Sequence, residues 1–415
     1  MAASTSARRW PRDRRALALS LVLGAAAGAW VASRNRAPAA NVAAPGEPLP
    51  LIDWEQARTI AVAMNRGAAL TLPERTRLDA AYRDLVARCI PVVAAYTADT
   101  LPPTAVERTY AFDRVDWINA NIAGFERMFA PLEGLNPASA NGSVASMLWG
   151  GVNQKVVSAE LGLLLGYLGR RVLGQYDLAL LGREPVAAGK LYYVEPNIVS
   201  VERSLGLPPA EFRMWLALHE TTHAFEFEAH PWLREHFNAL LERYFEFLRQ
   251  DAERLRTEGV RGLRVFVDRV RAGDRGDGSW LEALMTPEQR RLFAEMQAMM
   301  CVVEGYSNHV MNAVGKDLLP TYELISRKFE QRQRERTMAE QLFARLTGLD
   351  IKMEQYRLGE AFINRIAAER GHAFARRIWE GPDYLPSMDE IRHPDHWLAR
   401  IDAMDRIAAG AEGRG

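Results

Sequence analysis

Phe212-Arg213-Met214-Trp215-Leu216-Ala217-Leu218-His219-Glu220-Thr221-Thr222-His223-Ala224-Phe225-Glu226-Phe227 decides how this chain is read. Pro208-Pro209 ahead of it suits a helix start, and its apolar residues give the helix a face wide enough to bury. On a helix, residues four apart stand one turn above each other. His219 and His223 can therefore close on one metal ion, in the H-E-x-x-H arrangement of zinc hydrolases. Glu220 then lies beside the ion, where a general base must sit to take a proton from activated water. Two structural histidines lining a helix face are the plain alternative. A buried helix carrying these polar groups without a ligand is, however, costly to maintain.

A catalytic zinc site needs a third protein ligand and one open position. His230 is close in sequence but misses the metzincin spacing, which would put the histidine at Ala229 and a glycine at Glu226. Glu226 itself, seven residues beyond His219, stands about 10 Å further along the axis, too far to share the ion. The third ligand should come from another helix. Thr286-Pro287-Glu288-Gln289 is a capping box with proline at the first helical position, and Leu292, Met296, Met299 and Met300 follow at helical spacing. Glu304 is the acid in the apolar stretch of that helix and is the candidate third ligand. Asn308, one turn on, is placed to orient a ligating imidazole through its other nitrogen.

Five blocks extend the pattern: Val172 to Asp177, Leu218 to His223, Pro231-Trp232-Leu233, Glu304 to Met311, and Lys352 to Tyr356. In this order, from about Ile52 to Trp397, the chain resembles the zincin-like metallopeptidase family, mostly helical bacterial proteins of which some are encoded near deazaflavin-cofactor biosynthesis genes. The resemblance implies a mainly α, zincin-like fold with at most a small strand element. It also implies Zn²⁺ held by His219, His223 and Glu304, with Glu220 as base. It does not supply a substrate.

Composition agrees with a folded enzyme. The chain has 415 residues, 48% of them hydrophobic and 25% charged, and Lys+Arg and Asp+Glu both number 52. A net charge near zero gives no support to nucleic-acid binding. Cys89 and Cys301 are too few for a disulfide framework or a cysteine-based zinc site. Arg8, Arg9, Arg12, Arg14 and Arg15 precede an uncharged run from Ala16 to Ser33, about 27 Å long as a helix. This reads as a single-pass membrane anchor with the enzyme outside the cytoplasm; a secreted or a cytoplasmic protein are the alternatives. The expected organisation is an anchor over 1–36, a Pro/Ala-rich linker over 37–50, the metallohydrolase domain over 51–405 and a tail over 406–415.

Helices are expected to start near Asp53, Leu72, Thr104, Asp113 and Gly142. Leu191-Tyr192-Tyr193-Val194 is the clearest strand, expected at a sheet edge beside the catalytic helix where a substrate backbone could add. Arg271 to Gly278 reads as a solvated loop, and Tyr356 as a candidate donor to an oxyanion. The functional expectation is a zinc-dependent hydrolase of peptide bonds, with a peptide or protein as its partner. The alternatives are hydrolysis of a small-molecule amide or ester, and a catalytically silent helical binding domain.

Overall fold

The computed structural model describes residues 50–67, 69–130, 144–177, 189–258, 285–334 and 350–412, with backbone alone at 144–153, 177, 251–258, 333–334, 350–356 and 411–412. The expected anchor and linker, the Arg271 to Gly278 loop and the Tyr356 side chain lie outside that description. Among the described residues, no helix is long and apolar enough to cross a membrane.

The chain is mainly helical. In order, α1 is Trp54–Met64, α2 Leu72–Thr97, α3 Thr104–Glu107, β1 Thr109–Phe112, α4 Arg114–Phe129, α5 Val144–Leu168, β2 Gly174–Asp177 and β3 Lys190–Val194. There follow α6 Glu195–Leu205, α7 Pro209–Ala229, α8 Pro231–Glu258, α9 Pro287–Leu318, α10 Tyr322–Arg334 and α11 Asp350–Arg370. The chain closes with α12 His372–Ala375, two short 3₁₀ turns, α13 Met388–Arg392 and α14 Pro394–Glu412. Local chemistry explains several of these boundaries. Thr71, Asp113, Thr286 and Ser387 each form a capping box that satisfies amide groups left over at a helix start.

The chain forms two compact units. In the smaller, α1 lies along α5. The Ser158 hydroxyl accepts from the Asp53 amide at 2.7 Å, and Gly162 lets the backbones approach so closely that a Cβ there would meet the Ala57 carbonyl at 2.6 Å. The larger unit carries the sheet and the remaining helices.

Among the described residues the sheet has three strands, in the order β1-β3-β2. β1 pairs parallel with β3, Thr109 opposite Leu191, and β2 pairs antiparallel, Tyr176 opposite Leu191. Leu191 to Val194 is therefore the central strand, and the expectation that it forms an edge is corrected. Its four residues are all buried, which fits a strand covered on both faces and paired on both sides. The edge on the side of the catalytic helix belongs to β2.

The helix α7 is held in rotation at both ends. Near its start, the Arg213 guanidinium spans Glu195 and Glu202 on α6, with contacts of 2.8 Å to each. Tyr82 on α2 donates to the same Glu195 at 2.6 Å and stacks on Tyr193 with ring centroids 4.2 Å apart. Near its end, Glu228 accepts from Arg108 at 2.9 Å and from the Tyr176 hydroxyl at 3.1 Å. Each of these buried or half-buried charges has a partner, as burial requires.

Candidate metal centre

The structure brings together the two histidines of α7 and the glutamate of α9. His219 Nε2 lies 3.3 Å from His223 Nε2, and Glu304 Oε2 lies 3.9 Å and 3.8 Å from these two nitrogens. For bonds of about 2.05 Å, tetrahedral zinc separates its ligand atoms by about 3.3 Å. The donor set therefore fits zinc after a shift of a few tenths of an ångström. The electrostatics agree with the geometry. Each imidazole presents Nε2 toward the other and toward a carboxylate, an arrangement of lone pairs that a cation would hold together.

Both imidazoles are oriented through their other nitrogen. His223 Nδ1 lies 2.8 Å from Glu226 Oε2, and His219 Nδ1 lies 3.1 Å from the Ser307 hydroxyl and 3.2 Å from Met311 Sδ. With Nδ1–H donating to Glu226, His223 keeps Nε2 free to ligate. Glu226 meets Nδ1 of His223 rather than Nε2, and its position three residues beyond His223 is the signal that marks it as a partner of that histidine. Among the described residues the bonds to these nitrogens come from Glu226, Ser307 and Met311; none comes from Asn308, expected to play this part. Asn308 is half-buried, whereas Ser307 is fully buried and looks toward α7.

His230, the near-sequence alternative for the third ligand, points elsewhere. It caps the end of α7, stacks on Trp379 with centroids 5.4 Å apart, and puts Nε2 3.6 Å from Asp99.

Glu220 is buried at 5% exposure against the edge of β2. A Cβ added at Gly174 would meet its Oε1 at 2.5 Å, so only glycine leaves room for the carboxylate here. Val194 N–H donates to the Leu173 carbonyl, which turns the backbone polar groups of Gly174 and Tyr176 outward from the sheet. The Tyr176 backbone accordingly hydrogen-bonds to Glu220. Burial pushes the Glu220 carboxyl up to about 7, and the nearby Glu304 charge adds to this, while His223 and the Tyr176 bond oppose it. Burial holds His219 well below the usual histidine range, with the charge of His223 acting in the same direction. Burial also opposes a charge on His223, but Glu226 outweighs it and raises that group.

Glu304 reaches the site because α9 and α11 touch backbone to backbone. A Cβ at Gly305 would lie 2.2 Å from the Gly359 carbonyl carbon, and one at Gly359 would lie 1.8 Å from the Cys301 carbonyl oxygen. This glycine contact, directly beside Glu304, sets the depth of α9 in the core.

Comparison with known proteins agrees with this geometry. Residues 52–398 match the zincin-like metallopeptidase family. The chain belongs to that family. It is also similar to a crystal structure of a candidate hydrolase with a novel fold from Chloroflexus aurantiacus. That structure shows 42% identity and a TM-score of 0.61, over 85% of this chain and 99% of the other. Among curated proteins none matches. A zincin-like, metal-dependent hydrolase is thus the class in which the centre stands.

Proposed function

We propose that this zincin-like protein is a zinc-dependent peptidase, with His219, His223 and Glu304 as ligands and Glu220 as general base. The observation that carries the reading is the convergence of His219 Nε2, His223 Nε2 and Glu304 Oε2 to within 3.3–3.9 Å, with Glu220 seated next to them on the same helix. Zinc, when bound, polarises a carbonyl and makes a nearby water more acidic. Glu220 takes the proton of the attacking water and hands it to the leaving amine. Its seat keeps the carboxylate from swinging away between these two transfers: Gly174 clears the space and the Tyr176 amide fixes the oxygen. Glu226 and Ser307 hold the imidazoles at the angle the ligand set requires.

The choice of a peptide rests on the sheet. β2 is an edge strand beside the catalytic helix; the Tyr176 amide is engaged by Glu220, and the outward groups left at Gly174 and the Tyr176 carbonyl are those with which an extended peptide chain can pair. Glu220→Gln tests the assignment, because the amide keeps the shape of the side chain but cannot accept the proton. Hydrolysis of a peptide library should fall by about 10²–10⁴-fold with zinc content unchanged. A variant that cleaves as fast as the wild type would remove Glu220 from the mechanism.

A further inference from the structure

A second group of metal-ligand type lies on elements that contribute nothing to the catalytic cluster. Asp389 on α13, His393 in the turn and His396 on α14 bring one carboxylate and two imidazoles together, with their ligand atoms all within 4.8 Å of one another. His396 Nδ1 stands 2.9 Å from one Asp389 oxygen, and His393 Nδ1 3.3 Å from the other. The two rings lie 5.3 Å apart at 31°.

We infer that this is a second metal-binding site, for a borderline divalent ion such as zinc, nickel or copper. The donor set is the one found in the buried centre, two imidazoles and a carboxylate, and it excludes calcium and magnesium, which require shells of oxygen. The tips of all three side chains are in solvent, so water fills the remaining positions of the ion. Their backbone, by contrast, is fixed on every side. The capping box joins Ser387 to Glu390, and the His393 amide donates to the Asp389 carbonyl at 2.8 Å. The His396 amide donates to the His393 carbonyl at 2.9 Å, closing the next turn. Trp397, fully buried, anchors the start of α14 by donating to the Tyr384 carbonyl at 2.8 Å. Arg400 ties the same stretch to Glu390 at 2.6 Å and to the Leu385 carbonyl at 2.9 Å. Three side chains on a rigid turn lose only their own rotamer freedom on closing around an ion, which favours capture. Held as simple hydrogen-bonded pairs in water, the same groups would contribute little.

The test is zinc stoichiometry of the full chain by equilibrium dialysis at micromolar zinc, comparing wild type, His219→Ala/His223→Ala and His393→Ala/His396→Ala. About two ions per chain are expected in the wild type and about one in each double variant, and the His393→Ala/His396→Ala chain should keep the hydrolytic rate of the wild type. A His393→Ala/His396→Ala chain that binds as much zinc as the wild type, with the same affinity, overturns the inference. Failure of the catalytic reading would look different, as zinc binding unaffected by His219→Ala/His223→Ala. Competition adds a further check: millimolar calcium should leave the second ion in place, and its displacement by calcium would refute imidazole ligation.

Discussion

The helices α7 and α9 deliver the donors of the proposed metal centre by different means. On α7 the two ligands are four residues apart, so helix formation alone aligns them, and the rest of the molecule only has to hold the helix in rotation through Arg213 and Glu228. On α9 a single glutamate arrives 81 positions after His223, and no local rule aims it; its position depends on Gly305 and Gly359 letting two helices touch. Ligands built on local periodicity are thus robust to packing changes elsewhere. A ligand delivered by tertiary contact inherits every error in that contact.

Gly359→Ala attacks this difference most directly. The added methyl would strike the Cys301 backbone, which cannot rotate away, so α9 and α11 must separate. We expect a loss of stability of the order of 3 kcal/mol together with weaker zinc binding, read by denaturant unfolding and by chelator competition. Unchanged zinc affinity would show that Glu304 does not depend on the glycine contact.

Glu226→Gln sharpens the α7 side. The amide can still accept from His223 Nδ1 but brings no charge, and zinc affinity should fall about 10–100-fold while the fold persists. Chelator competition measures this, and an affinity equal to that of the wild type would reduce Glu226 to a packing residue. Ser307→Ala should have the smallest effect, about 0.5–1.5 kcal/mol in zinc binding, since the lost bond is neutral and Met311 Sδ still faces the same nitrogen. A Ser307→Ala effect larger than that of Glu226→Gln would reverse the ranking of the two helices.

The contrast also explains what was legible from the sequence. His219, Glu220 and His223 could be placed because their relation is local. Glu304 could be proposed because an acid in an apolar helix stands out, and the helix starts at Asp53, Asp113 and Thr286 were readable from capping chemistry. Side-chain direction was not readable: Ser307 and Asn308 are neighbours, and only the packing of α9 against α7 decides which of them meets His219. The strand at Leu191 to Val194 was found, but its place in the sheet was not. Its unbroken apolar run was the available sign of a central strand, and β2, polar and glycine-led, gave little sign of being a strand at all. Gly174 likewise acquires its meaning only when Glu220 is beside it.

The parallel pairing of β1 with β3 sets an order of assembly. Thr109 and Leu191 are partners separated by 82 positions, and no tight turn can join parallel neighbours, so this contact closes slowly compared with the winding of a helix. The imidazoles of α7 become neighbours as soon as that helix forms. The seat of Glu220 exists only once β2 has joined the same β3. In refolding of the full chain, helix winding accordingly aligns the two imidazoles before the tertiary contacts that seat Glu220 and bring Glu304 to them.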